Sequence, residues 1–543
     1  MTRRTPKKGF DMLILSRIAS QRLIRAATCL LAGALLCSTA HAGDFIDTRI
    51  TFTIGDDNFL KSAGEQVPDS PRFGIGDREG YELSFDNLDL ATSGRENQIH
   101  LVLYRKVDGI FPGLITEAAA SIEIDLGELE SSSPRVDRVF SDDSSYIRLA
   151  YALDADRKGK EFLDLVVFPL QGDRFRVGYL YDLTWGGTRI FARQKGPTPA
   201  FKLGGNHGRF YWWAGMKIVR AQTAPEESKD EQGLTITTEQ QESFYGVLAG
   251  MGVQPVDGLS IDFSAGHIQV GENPIKDVAG ETVTASGFSA RLAYGRGLKV
   301  GLSSDLRLVR NDPDYLEGLS RRPTYKADSK LSWRISAEGT AVAQVLADRE
   351  TFGATTAQWA SAAAVDFRLQ YNYMRFNLTG VYRSLEFILL DTPSFVAFEA
   401  FPSEVQVKPN FFGAVAFDYH FPKIGLTPGI QAGIEVPASV TTELTAKEVG
   451  SNAPPTLLGK HTIVVRGNGR RVILPQDAEA VPLFQFRGTA RWYASQMLTL
   501  VAFAFVTIDE NAEILVVNPD LTRTRVFDDS VRFGAGLQMQ ARF

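Results

Sequence analysis

The sequence predicts an all-β protein: a single transmembrane antiparallel β-barrel with an even strand number, about 18–22 strands. Three observations carry this reading. A secretory leader precedes the folded part, apolar and polar residues alternate with a period of two in many segments, and short turns alternate with long polar links.

The leader comprises residues 1–42. Arg3, Arg4, Lys7, Lys8, Arg17, Arg22 and Arg25 make it basic, and the apolar run Ala26–Leu36 ends in Ala40-His41-Ala42. Small residues at Ala40 and Ala42 are what a signal peptidase reads, so cleavage is expected before Gly43. The apolar run is too short for a membrane-spanning helix, and no uncharged run of about 18 residues follows. Both cysteines, Cys29 and Cys37, lie in the leader, so residues 43–543 contain no cysteine and need no disulfide. The chain carries a net charge of −6; the leader contributes seven basic groups and Asp11, so its removal leaves −12. That balance excludes nucleic acid as the natural partner.

The C-terminal segment has the clearest alternation. Val531, Phe533, Ala535, Leu537, Met539, Ala541 and Phe543 form one face, and Arg532, Gly534, Gly536, Gln538, Gln540 and Arg542 the other. Two unlike faces over this length describe a strand with lipid on one side and a polar interior on the other. The same pattern recurs at Phe484–Trp492, Arg209–Ile218, Phe411–Tyr419 and Arg174–Trp185, with Trp213 and Leu180 on the nominally polar side. Ala200–Gly204 and Thr340–Ala347 are short or weak candidate strands, with loops or turns as the alternative reading. Residues 43–543 are taken as the barrel, with 43–79 supplying either the first strand and a loop or a small periplasmic element.

Short turns are expected at Pro169–Asp173, Gly205–Gly208, Gln254–Gly258, Gly295–Gly297, Asn372–Met374, Phe421–Ile424 and Ala494–Gln496. Longer links include Gly186–Pro197, Asn311–Lys326 and Pro437–Ala480. Phe168, Tyr294, Tyr371, Tyr373, Tyr419, Phe421, Trp492, Tyr493 and Phe543 lie beside short turns or at the terminus, and are expected to form an aromatic girdle on that side.

No chemistry-bearing motif is present. His100, His207, His267, His420 and His461 have no metal-ligand spacing, and there is no phosphate loop, dinucleotide fingerprint or nucleophile elbow. No enzyme activity, cofactor or metal is expected. The alternation instead assigns Arg174, Arg176, Arg368, Arg375, Arg383, Arg487, Arg491, Arg532 and Arg542 to the lumen, against Asp86, Asp182 and Asp366. A basic wall of this kind favours anionic or neutral hydrophilic solutes.

The leader, the hairpin rhythm, the missing cysteines and the terminal aromatic together make the chain resemble porin-type outer-membrane proteins of Gram-negative bacteria. The resemblance implies passive diffusion of small hydrophilic solutes, an outer-membrane location, outer-membrane lipid and lipopolysaccharide as surroundings, and homo-trimers as an assembly. It also implies that the barrel-assembly machinery reads the last strand through Phe543, Met539, Leu537 and Phe533, and that an inward-folded loop narrows the pore. That loop is not identifiable from the residues. A surface-binding, adhesin-like barrel without an open pore and an energy-coupled receptor are the competing readings. The short approach to the first strand disfavours the receptor, which needs a large N-terminal plug.

Overall fold

The chain is described here from a computed structural model. Described are residues 45–56, 58–61, 97–126, 139–142, 145–154, 161–172, 175–180, 183–186, 197–222, 226–229, 235–238, 241–273, 276–298, 331–390, 399–403, 405–444, 459–466, 471–495, 497–517 and 523–542. Ile46–Phe543 forms one compact unit. The leader lies outside the described residues.

Alternating segments become strands because each apolar row can meet lipid only if the intervening row faces inward. The barrel strands begin with β1 (Phe45–Asp56), β2 (Gln98–Asp108), β3 (Leu114–Asp125), β4 (Tyr146–Ala152), β5 (Phe162–Phe168) and β6 (Ala200–His207). They continue with β7 (Phe210–Gln222), β8 (Gln241–Val253), β9 (Leu259–Glu272), β10 (Thr282–Arg296), β11 (Ser332–Ala347) and β12 (Thr355–Tyr371). The ring is completed by β13 (Met374–Arg383), β14 (Asn410–Tyr419), β15 (Leu426–Val436), β16 (Leu483–Tyr493), β17 (Leu498–Ile508) and β18 (Val531–Arg542). Each pairs antiparallel with its neighbours in this order. The short strand Phe140–Asp142 shares the place of β4 against β3, so the 19 strands of the sheet occupy 18 positions.

The ring closes because β18 pairs with β17 on one side and with β1 on the other, from Arg49↔Arg542 to Asp56↔Ala535. A clasp extends this seam: Phe59 donates its N–H to the Phe533 carbonyl at 2.8 Å, and Lys61 Nζ lies 2.6 Å from Asp528 Oδ1. The last strand alternates as its sequence requires, with Phe533, Leu537 and Met539 exposed outside and Arg532 and Gln538 buried inside. Exposed apolar side chains such as Leu165, Leu203, Phe263, Leu292, Val415 and Ile434 continue the outer belt. Left in water, so continuous an apolar surface would be a liability; in hydrocarbon it is the stable arrangement.

Several expectations are corrected. Pro169–Asp173 is not a short turn: it opens the connection 169–199, at the end of the barrel opposite the turn between β6 and β7. Phe168 is therefore buried and outside the girdle, whereas Tyr294, Tyr371, Tyr373, Tyr419, Phe421, Trp492 and Tyr493 all lie at the short-turn end. Tyr419 packs edge-on to Phe421 at 4.7 Å, and Tyr294 to Trp333 at 5.4 Å. The weak segments Ala200–Gly204 and Thr340–Ala347 belong to full barrel strands, β6 and β11, because paired neighbours satisfy their backbone whatever their own propensity. Gly295–Gly297 does not close a tight hairpin, since β11 starts only at Ser332. Asn311–Lys326 falls outside the described residues.

At the long-loop end, Gln406–Lys408, Ala438–Leu444, Gly459–Val465 and Arg471–Ile473 form a four-stranded sheet. Its apolar face, with Val440, Ile463 and Val465, packs with Leu385 and Ile388 of the short helix α1 (Leu385–Leu390). The antiparallel hairpin of Gly459–Val465 and Arg471–Ile473 is thus part of a packed cap. Beside it, in the turn between β11 and β12, Glu350 accepts hydrogen bonds from the Ser403 hydroxyl at 2.6 Å and the Ser403 N–H at 2.7 Å.

Two predictions follow from this packing. A Cβ added at Gly536 would collide with the Phe503 ring, so Gly536→Val is expected to keep β18 from seating and to abolish the heat-modifiable folded band on gels. Gly488→Val, whose Cβ would meet no atom within 4 Å, is expected to leave that band unchanged. Hydrogen bonds from Ser403 hold the Glu350 carboxyl below its ordinary range. A depressed carboxylate stabilises above its unfolded value, about pH 4.3, and that contribution disappears as pH falls through the folded value. A lower protection factor for the Ser403 amide as pH falls through the folded value, with the barrel ladder unaffected, is the expected outcome.

Candidate functional site

The segment expected to be a strand over 174–185 is instead folded into the barrel. Phe175 and Leu183 are 0 % exposed and Trp185 1 %, far more enclosed than a lipid-facing row. A small antiparallel bridge between Val177 and Trp185 gives the segment its hairpin form. It lies on the inner faces of β7, β9 and β11. Phe175 packs edge-on against Trp213 at 5.3 Å, and Lys217 Nζ donates to the Phe175 carbonyl at 2.7 Å. Gly178 N–H donates to Ser264 Oγ at 3.2 Å, and Thr340 Oγ1 to the Leu183 carbonyl at 3.4 Å. The wall makes room with glycine: a Cβ at Gly215 would stand 2.8 Å from Phe175 Cζ, and one at Gly266 3.0 Å from Val177 Cγ2.

This arrangement explains Trp213, which breaks the polar inner row of β7: it is the platform for Phe175. Burial stabilises each such aliphatic or Phe side chain by roughly 1.5–3 kcal/mol, so several together hold the segment in place against thermal motion. The segment is therefore a fixed internal element rather than a free flap.

The wall around it is polar and largely ion-paired. Arg148 lies between Asp164, at 2.7 Å, and Glu117, at 3.0 Å. Asp262 Oδ2 accepts from Arg291 Nε at 2.9 Å and Nη2 at 2.8 Å, while Tyr211 Oη donates to Oδ1 at 2.6 Å. The Arg291 guanidinium also stacks on the Tyr179 ring, 4.7 Å from its centroid. Arg334 and Arg368 stand directly opposite each other on β11 and β12, a repulsive pairing relieved by Asp366 Oδ1, 3.2 Å from one and 2.7 Å from the other. Arg375 pairs with Asp418, and Arg466 of the cap with Asp509 at 2.7 Å.

Asp366, Arg368, Arg375, Arg383, Arg487, Arg491 and Arg532 all fall on inward positions of their strands. Arg176 is buried, but in the inward segment and not on a barrel strand. Arg174, Asp182, Asp86, Phe543 and the Arg542 side chain lie outside the described residues. The arginine-centred reading missed Glu117, Asp164, Asp262, Glu338, Asp418 and Glu435, which are buried on the same enclosed face. Their signal was present: Ser260, Asp262 and Ser264 alternate with Ile261 and Phe263. The wall is consequently less basic than the expected set implies. One arc differs: β16, β17 and β18 contain no acidic residue, and their inner rows carry Arg487, Arg491 and Arg532 among Phe503, Phe505, Thr507 and Gln538. The Arg487 guanidinium sits 5.2 Å from the Phe503 ring centroid.

No family model and no curated protein sequence matches the chain. Among solved structures it is similar to the outer membrane protein OpdK of Pseudomonas aeruginosa, with 9 % identity, TM-score 0.40 and coverage of 92 % of this chain and 98 % of that one. It is also similar to the outer membrane protein OprD of the same organism, with 9 % identity, TM-score 0.38 and coverage of 92 % and 93 %. A third similar structure is P. aeruginosa OccK5 (OpdH), with 8 % identity, TM-score 0.38 and coverage of 92 % and 97 %.

The molecule is a porin-like antiparallel β-barrel. That statement rests on its own closed ring, apolar exterior and polar, partly occupied interior. The Arg334–Asp366–Arg368 cluster depends on its carboxylate. Asp366→Asn would leave two guanidinium groups facing each other in an enclosed site, and loss of one partner of such a cluster costs about 3–5 kcal/mol. A clear fall in the urea midpoint of the folded barrel, with a smaller fall for Asp366→Asn combined with Arg368→Gln, is expected.

Proposed function

We propose that the protein is an outer-membrane channel for passive diffusion of small hydrophilic solutes, with a modest preference for anions. The observation that supports the preference is that strands β16–β18 carry three inner-row arginines and no carboxylate of their own. Arg532 lies toward its long-loop end, Arg487 midway and Arg491 toward its short-turn end, so a basic group backs the wall at each level. Carboxylates around the rest of the wall, and Asp509 beside Arg532, keep the expected preference modest. The same reading includes export through a leader cleaved after Ala42 and recognition of the last strand by the assembly machinery through Phe533, Leu537, Met539 and Phe543. Lipid and lipopolysaccharide would surround the belt, and homo-trimers are its proposed assembly.

A second reading has a specific observation in its favour. Inner-row side chains are buried on nearly every described strand, including Glu117, Asp262, Asp366, Asp418, Thr489 and Gln538. Such enclosure supports a narrow passage over a wide one, and is also what a filled, surface-binding barrel would have.

Reconstitution into planar bilayers separates the two. Stepwise conductance is expected, with a reversal potential on the anion side in a salt gradient. Arg487→Gln with Arg491→Gln is expected to lower the anion-to-cation permeability ratio several-fold. A cation-side reversal potential in the unmodified protein would remove the preference. Repeated silence from protein that migrates as folded barrel would favour the surface-binding reading.

A further inference from the structure

The short-turn end carries a second set of apolar side chains, beyond the aromatic girdle. Ile110 and Phe111 stand on the turn between β2 and β3, and Val256 on that between β8 and β9. Ile424 lies between β14 and β15, and Met497 between β16 and β17. All are exposed, Ile110 by 95 % and Ile424 by 60 %. The chain reversals do not require them: Gly113, Gly258 and Gly425 supply the left-handed backbone, and Pro112, Pro255 and Pro422 a fixed φ. Polar tips would serve the same turns in water without exposing apolar surface. Four hairpins with apolar tips on one rim therefore describe a rim that does not end in water.

The charges beside the tips indicate what covers them. Lys423 is exposed next to Ile424, and Arg105 and Arg296 are exposed on the outer rows of β2 and β10 at their short-turn ends. Carboxylates of this rim are engaged or turned away. Asp257 accepts from Arg209 Nη2 at 3.0 Å, Glu161 lies 3.0 Å from His207 Nδ1, and Asp154 has a partner as well. Asp108 follows the inward row of β2. Apolar tips with cations at their side match a phospholipid, whose glycerol and upper acyl carbons receive the tips and whose phosphate receives the cations. A protein partner fits less well, because the tips are spread around the ring instead of forming one contiguous patch.

We propose that the short-turn rim is a docking surface for anionic phospholipid. Its apolar tips lie among the glycerol groups and first acyl carbons of the periplasmic leaflet, and Arg105, Arg296 and Lys423 select anionic headgroups there. The proposal rests on the outer-membrane placement and not on an open pore. Because the cations are exposed, the selection is strong at low ionic strength and fades as salt screens it.

Single cysteines carrying a polarity-sensitive dye read where the tips lie, in a chain with Cys29 and Cys37 replaced by serine. Ile110→Cys and Ile424→Cys mark the rim, and Glu281→Cys, in the exposed turn between β9 and β10 at the other end, is the reference in water. In vesicles of phosphatidylcholine and phosphatidylglycerol, aqueous iodide is expected to quench the reference dye several-fold more than the rim dyes. Lipid brominated on the upper acyl chain is expected to do the reverse. Equal iodide quenching at all three positions overturns the docking and leaves the rim to a soluble partner. With bromine on one lipid at a time, at equal mole fraction, phosphatidylglycerol is expected to quench the dye at position 424 about two- to fivefold more than phosphatidylcholine. That ratio is expected to fall toward unity in concentrated salt, and in Lys423→Gln combined with Arg296→Gln, whose folded gel band is unchanged. Equal quenching by the two lipids at low salt overturns the headgroup selection. If a labelled chain gives no folded band, spin-labelled forms of the two lipids are added to the unmodified protein, and an equal motion-restricted fraction overturns the proposal. None of these measurements needs a current, so a silent bilayer bears on the channel reading alone.

Discussion

Backbone pairing is the constraint on which this molecule depends. In hydrocarbon, an unpaired N–H or carbonyl costs several kcal/mol, so a sheet can cross only if it has no edge. The register between β1 and β18 removes the last one. With the ring closed, each strand has an inside and an outside, and the period-two pattern becomes compulsory: a slip of one residue would turn every arginine of β16 and β18 into lipid. The clasp at Asn58–Lys61 lengthens the paired seam beyond β1, where the chain leaves the sheet.

Much of this was legible in the residues. Val531–Arg542 could be read directly, because a strand facing lipid on one side and polar groups on the other leaves few choices at each position. Phe210–Ile218, Phe411–Tyr419 and Phe484–Trp492 were legible for the same reason. The segment 174–185 was misread for a physical reason. Packing an apolar row against an apolar patch of the wall produces the same alternation as facing an apolar row to lipid. What distinguishes the two lies elsewhere in the chain. Trp213, Leu248, Ile268 and Val342 are large apolar residues on inner rows, buried with the segment over them. An inward apolar residue on a barrel strand thus marks where something from a loop will rest.

The interior charges show a similar asymmetry between what can be read and what cannot. Alternation gives the side on which a charged residue falls, and it served for Arg375 and Arg491. Partnership depends on register between strands far apart in sequence. Arg148 and Glu117 are 31 residues apart, and Arg466 and Asp509 are 43. The wall is less basic than the arginines alone suggest, because register brings carboxylates such as Glu117 and Asp164 beside Arg148.

The inward segment leaves the wall between β5 and β6 but rests on β7, β9 and β11, strands made later in the chain. Its bed therefore does not exist when the segment itself emerges. The barrel is in this respect a vessel sealed around its contents: side chains such as Phe175 and Trp185 remain without cover until almost two thirds of the staves stand. Folding must shelter that apolar hairpin through the interval, so the element enclosed by the finished barrel is also one exposed to error during construction.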